Sequence, residues 1–284
     1  MFSLNIRGQL RTYDRPAVMG IINATPDSFF AGSRAATAAE AAAKAAAMIA
    51  DGADFIDVGA CSTRPGSAAP SPEEEFDRLA AVMPTVKAVC GDRVAVSVDT
   101  YRAEVARRAV TELGADIVND ISGGTLDEAM FDTIAELQVP YILQHMRGKP
   151  EDMQEYAEYT DVAAEVLSEI GERVGQLSLM GVNDIIIDPG FGFAKNMEQN
   201  YELLARLDLL KLLHRPILVG LSRKSMATGL LGISADEALE ATTALNTLAL
   251  DRSADILRVH DVKAAVQCVK IRQAVARYAC KNKL

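Results

Sequence analysis

A short apolar run followed by a stretch of helical composition recurs eight times along this chain, and seven of the eight runs stop on a polar side chain. Ile185–Ile187 shows the construction most plainly. Three isoleucines in a row suit a strand buried on both faces. The run stops at Asp188, and Pro189 and Gly190 end it, because Pro cannot donate to a ladder and Gly permits a sharp turn. The other runs are Ala17–Ile22, Phe55–Val58, Val94–Val98, Asp116–Val118, Pro140–Leu143, Pro216–Leu221 and Asp255–Leu257. The stretches of helical composition are Thr37–Ala50, Pro72–Val89, Ala103–Leu113, Leu126–Leu137, Tyr156–Leu179, Glu198–Leu213, Ala235–Leu250 and Val262–Ala279. Acidic residues Glu73–Glu75 open the second of these, where they complement the helix dipole.

Each crossover is long enough for a right-handed βαβ connection. Eight such units predict an α/β chain folded as a (β/α)8 TIM barrel in preference to an open doubly wound sheet. A short N-terminal hairpin over Met1–Arg15 precedes it. No composition shift or linker interrupts the 284 residues, so residues 1–284 read as one barrel domain. No GxGxxG follows the first strand and no GxxxxGK[ST] occurs, which weakens a dinucleotide or P-loop assignment.

The formal charge of −10 argues against nucleic acid or an anionic membrane as a partner, while leaving room for a local cationic pocket. The four cysteines are scattered without a CxxC pair, so neither a disulfide framework nor a zinc site is indicated. No leader-like segment and no long apolar run is present, and a cytoplasmic location is expected.

The functional signal lies at the strand ends. In order they supply Asn23, the loop Ser62–Thr63–Arg64, Asp99, Asn119, His145, Asp188, Lys224, and Arg258 with His260. One Asn or Asp at such a place is by default a cap or turn residue. A polar residue at nearly every strand end is hard to attribute to capping, and a barrel presents all of them on one rim. Asp99, Asn119 and Asp188 offer acceptors suited to a flat heterocycle with amidine-like N–H groups. Thr63, Arg64, Arg258 and His260 form a second, donating group suited to phosphate or pyrophosphate. Asn23 is a neutral oxygen ligand compatible with a Mg²⁺ that keeps most of its waters.

These residues sit in MGIINATPDSF (19–29), DFIDVGACSTRPG (54–66), SVDTYRAEVA (97–106), GADIVNDISGG (114–124), HMRGKPEDMQ (145–154), IIIDPGFGFAKNMEQNYELL (185–204), PILVGLSRKS (216–225) and RVHDV (258–262). Together, and in this order, the segments resemble the dihydropteroate synthases. The resemblance implies a barrel enzyme of folate biosynthesis. Such an enzyme joins (7,8-dihydropterin-6-yl)methyl diphosphate to p-aminobenzoate, releasing pyrophosphate. It further implies that Asp99, Asn119, Asp188 and Lys224 hold the pterin. Thr63, Arg258 and His260 would bind the diphosphate, Asn23 would coordinate Mg²⁺, and Arg64 and Ser225 would lie near p-aminobenzoate. A homodimer paired through the last helices and sensitivity to sulfonamides are implied as well. The chain departs from the family pattern at Ala31, at Ala60–Cys61 and at Gln144, and Cys61 reads as a small packing residue. Two rival readings share the barrel: a pterin-binding methyltransferase domain serving a corrinoid, and a pterin-binding partner subunit without catalysis.

Overall fold

The computed structural model describes residues 1–24, 34–61 and 70–279. It opens with an antiparallel hairpin, β1 (Phe2–Ile6) and β2 (Gln9–Tyr13). Strands and helices then alternate: β3 (Ala17–Asn23), α1 (Arg34–Asp51), β4 (Phe55–Gly59), α2 (Pro72–Cys90), β5 (Ala95–Asp99) and α3 (Ala103–Thr111). The middle of the chain gives β6 (Ile117–Asp120), α4 (Met130–Leu137), β7 (Tyr141–Gln144), α5 (Val162–Leu179), β8 (Ile185–Asp188) and α6 (Met197–Ala205). β9 (Leu218–Val219), α7 (Ser225–Leu231), α8 (Leu239–Asp251), β10 (Ile256–Val259) and α9 (Val262–Ala279) complete it. β3 to β10 form one eight-stranded parallel sheet in the order β8-β7-β6-β5-β4-β3-β10-β9. A single bridge between Ile187 and Ile217, with Ile187 N donating to Pro216 O at 2.9 Å, joins the two ends of the sheet. The predicted (β/α)8 barrel and its N-terminal hairpin are therefore both present.

Alternation along each strand divides the core in two. Val18, Ile56, Val58, Val96, Val98, Val118, Ile185, Ile187 and Leu257 face outward and pack under the helices. Met19, Phe55, Ala95, Ile117, Ile142, Ile186, Leu218 and Ile256 face inward and fill the barrel. Leu4 and Ile6 of the hairpin join this inner cluster, at 1% and 0% exposure, so β1 stops the N-terminal end of the barrel like a plug. Burial of such a side chain contributes roughly 1.5–3 kcal/mol. Arg7, just past β1, fastens the plug: Nε and Nη2 donate to Asp116 at 2.6 and 2.9 Å, and Lys87 donates to the same carboxylate at 2.7 Å.

The helices depart from the sequence reading in several places. The stretch read as a helix over Glu198–Leu213 breaks at Arg206 and continues as a 3-10 helix, Leu207–Leu213. Its leucines at 207, 210 and 213 recur every three residues, the period of a 3-10 helix. The stretch over Tyr156–Leu179 starts later as α5, capped by Asp161, whose carboxylate accepts from Ala164 N at 2.9 Å. The helix over Leu126–Leu137 begins only at Met130. The short helix α7 follows the SRK segment, which reads in sequence as a strand end. Of the acidic residues opening α2, Glu74 completes a capping box with Ser71. Glu75 instead is fully buried and paired with Arg102.

Candidate active site

Two residues beyond the apolar inner layer, the inward positions change character. On alternate strands, Phe55, Ile117, Ile186 and Ile256 lie in the apolar layer. The next inward residues on the same four strands are Asp57, Asn119, Asp188 and Arg258. A strand repeats its facing every two residues, and a barrel of this kind stacks layers drawn from alternate strands. The chain thus builds a charged layer directly above a greasy one, at the C-terminal end of the barrel. Asp57, Asn119 and Asp188 are all at or below 3% exposure.

Arg258 sits at the middle of this layer. Its Nε donates to Asp57 Oδ2 and its Nη2 to Asp99 Oδ2, both at 2.6 Å. Asn119 Nδ2 donates to the same Asp57 oxygen at 3.0 Å. Neither guanidinium contact uses Nη1. Burial, with Asp57 close by, pushes the Asp99 carboxyl above its usual range although Arg258 pulls the other way. Asp57 Oδ1, Ser97 Oγ and Asn119 Oδ1 are buried with no hydrogen-bond partner among the described residues. Buried orphans of this kind each cost about 1–3 kcal/mol. Two of the three are obligate acceptors, so a ligand rich in N–H groups would satisfy them.

Asp188 and Lys224 face each other across the junction of β8 and β9. Asp188 Oδ1 accepts from Gly190 N at 2.8 Å. Burial raises its carboxyl, while Lys224 opposes the rise. Lys224 reaches Phe191 O with its ammonium and lies 4.7 Å from the centre of the Phe193 ring. Burial brings its ammonium down to about 8, against the pull of Asp188. Gly192 leaves room for its side chain, since a Cβ there would stand 3.3 Å from Lys224 Cδ. His260 lies beyond Arg258 on the same strand end, where Ser222 Oγ is 3.0 Å from its Nδ1. Asn23 is the exposed last residue of a strand that is otherwise buried throughout, in register with Gly59 on the same rim.

Asp99, Asn119, Asp188, Lys224 and Arg258 converge in one mouth. Arg258, grouped in sequence with His260 as an anion holder, lies among the carboxylates and is their counter-ion. Ser225 is exposed at the start of α7. Thr63 and Arg64, with Ala31, lie outside the described residues. Cys61 is half-buried, and burial, followed by the nearby Glu75 charge, lifts its thiol to about 11. It is therefore protonated at neutral pH.

Two further residues belong to the site and carry no strand-end signal. Asp57 lies inside β4, where its inward facing follows from the spacing Phe55–Asp57–Gly59. Lys195 lies behind the mouth at 3% exposure. Its ammonium contacts His145 Nδ1 at 3.0 Å and donates to Gly190 O at 3.1 Å and Phe193 O at 3.0 Å. His145, at a strand end, points away from the mouth: its Nε2 lies 3.1 Å from Glu169, which Arg147 also binds.

The sequence model of the pterin-binding enzymes matches residues 19–260. The dihydropteroate synthase of Escherichia coli K12 is 42% identical over 262 residues, 91% of each chain. A folate synthesis bifunctional protein of Arabidopsis thaliana is 39% identical over 93% of this chain, which spans 58% of that longer protein. The dihydropteroate synthase of Xanthomonas albilineans, solved with 4-aminobenzoic acid, superposes with a TM-score of 0.88 at 39% identity, covering 96% of this chain and 98% of that one. A barrel rim of this composition, matched over nearly the whole length at this identity, places the chain in the pterin-binding enzyme family, among the dihydropteroate synthases.

Proposed function

We infer that the chain condenses (7,8-dihydropterin-6-yl)methyl diphosphate with p-aminobenzoate, giving 7,8-dihydropteroate and pyrophosphate in folate biosynthesis. The observation that carries this reading is the charged layer itself: acceptors and one guanidinium, stacked on an apolar floor and left partly unsatisfied. Asp188 and Asn119, with Lys224 opposite, hold the amino-pyrimidine edge of the pterin. Loss of pyrophosphate leaves positive charge on the methylene beside the ring. The carboxylates of Asp99 and Asp188 stabilise that charge from fixed positions. Arg258, through the nitrogen that neither carboxylate uses, and His260 with Thr63 hold the diphosphate. The p-aminobenzoate amine, positioned by Arg64 and Ser225, attacks the methylene and then loses its proton to solvent. No side-chain nucleophile is required, in keeping with a protonated Cys61.

A Mg²⁺ fits the rim in one way. Asn23 offers a single amide oxygen at the exposed strand end, and among the described residues no three His, Cys, Asp or Glu side chains gather as a protein-only cage. That donor set suits an ion that leans on substrate phosphates and water. When bound, it would supply charge neutralisation at the departing pyrophosphate. Sulfonamides, as p-aminobenzoate mimics, are proposed as inhibitors. A homodimer is proposed through α9, whose Ile271, Val275 and Tyr278 share one exposed face at 63%, 63% and 68% exposure. No helix among the described residues is long and apolar enough to cross a membrane, and a cytoplasmic location is proposed with the activity.

The test is pyrophosphate release with each substrate alone and with both. Release that requires p-aminobenzoate supports the synthase. Binding of the pterin with no release at any p-aminobenzoate concentration would favour a non-catalytic partner subunit.

A further inference from the structure

The loop after β8 carries two of the contacts that hold Lys224, the Phe191 carbonyl and the Phe193 ring. Its shape is unusual. Gly190 and Gly192 have φ of 69° and 80°, and the non-glycine Ala194 has φ of 49°. A chain bent back this way turns carbonyls inward, where they need donors. Lys195 supplies them from inside the protein. Its ammonium is bonded to the Gly190 and Phe193 carbonyls, on either side of Phe191, and is anchored in turn on His145 Nδ1. The anchor requires a neutral imidazole. Burial, and then the Lys195 charge, hold His145 down to about 4, so Nδ1 accepts and Nε2 donates to Glu169. Asn200 ties the same loop from the other side, accepting from Gly192 N at 2.7 Å and donating to Lys195 O at 3.0 Å.

We propose that Lys195 is a positioning residue for the pterin half of the site, holding the Gly190–Lys195 loop in the one shape that presents Phe191 and Phe193 to Lys224, with His145 as its anchor. It does not touch substrate. It acts through Lys224 and through Asp188, whose Oδ1 is fixed by the first amide of the same loop. The proposal rests on the pterin reading of the mouth. It predicts an effect confined to one of the two substrates.

The anchor can be cut without emptying the space. In His145→Asn the side-chain oxygen falls where Nδ1 was, and Lys195 keeps its acceptor. In His145→Gln the amide nitrogen falls where Nε2 was, and Glu169 keeps its partner while Lys195 loses its own. We expect His145→Gln and Lys195→Met to weaken binding of 7,8-dihydropterin, measured by calorimetry, about tenfold or more. The KM for the pterin diphosphate should rise in step, with the KM for p-aminobenzoate unchanged, whereas His145→Asn should stay within about twofold of the wild type. Equal binding by folded His145→Gln and wild type would overturn the proposal, as would equal damage in the Asn and Gln variants. Should Lys195→Met not fold, the histidine pair decides alone. Failure of the wild type itself to bind dihydropterin would count against the pterin reading instead.

Discussion

At the scale of single residues, charge placement decides the chemistry. Asp188→Asn keeps the oxygen that accepts from Gly190 N and removes only the negative charge facing Lys224. Turnover should fall by about 10²–10³-fold, while the melting temperature moves by no more than about 3 °C. Steady-state kinetics and calorimetry on the same preparation check this. His145 sets a pH dependence of a different kind. Its imidazole is held at about 4 in the fold by burial, with Lys195 and Arg173 opposing its proton and Glu169 favouring it. Unfolded, it titrates near 6.5. The unfolded chain therefore takes up the proton first, and the stability that His145 contributes is whole above about pH 6.5 and lost as pH falls toward 4. Denaturant midpoints measured from pH 7 to 4 should fall, and His145→Asn should flatten that part of the curve. The residues that sequence missed share a cause. Asp57 is a buried charge inside a strand, and attention to the position just past each apolar run skips it, whereas the two-residue spacing from Phe55 would have found it. Lys195 looks like any loop lysine, because its partners are backbone carbonyls and a histidine fifty residues away, which no local pattern encodes.

At the scale of elements, the hairpin and the helices divide the labour. β1 has no part in the mouth, yet Ile6 is fully buried against the barrel floor. Ile6→Ala should cost about 2–5 kcal/mol in unfolding free energy and leave kcat and KM unchanged, a separation that urea unfolding and initial rates resolve. The eight strand-and-helix units were legible because each couples an apolar run to a stretch of helical composition, with a polar stop between them in seven. Helix limits were legible unevenly: Val262–Ala279 is met at both ends, whereas the start of α5 is missed although Asp161 caps it. Pro72 after Ser71 announces α2 correctly, but nothing local announces that Leu207–Leu213 tightens to a 3-10 turn. Its leucine spacing carries that information only once the buried side is known. The carboxylate partners of Arg258 were hidden for the same reason: sequence shows its neighbour His260, and only closure of the barrel shows Asp57 and Asp99.

At the scale of the molecule, two surfaces organise the chain. The α9 face of Ile271, Val275 and Tyr278 is the surface through which a pairing of two copies is proposed. Ile271→Glu should convert a dimer to a monomer in sedimentation velocity, with pyrophosphate release per chain changed less than about twofold. The other organising surface is the junction between β8 and β9. Every other neighbouring pair of barrel strands shares at least two register positions, but this one has a lone bridge, Ile187 to Ile217. Asp188 stands on one bank of that gap and Lys224 on the other. A ring gripped by both would act as a rivet across the least-stitched line of the wall. Amide hydrogens of residues 185–188 and 217–219 should therefore exchange fastest among the barrel strands in the empty protein, and slow most when dihydropterin is added. Substrate recognition and mechanical closure of the cylinder would then be one event.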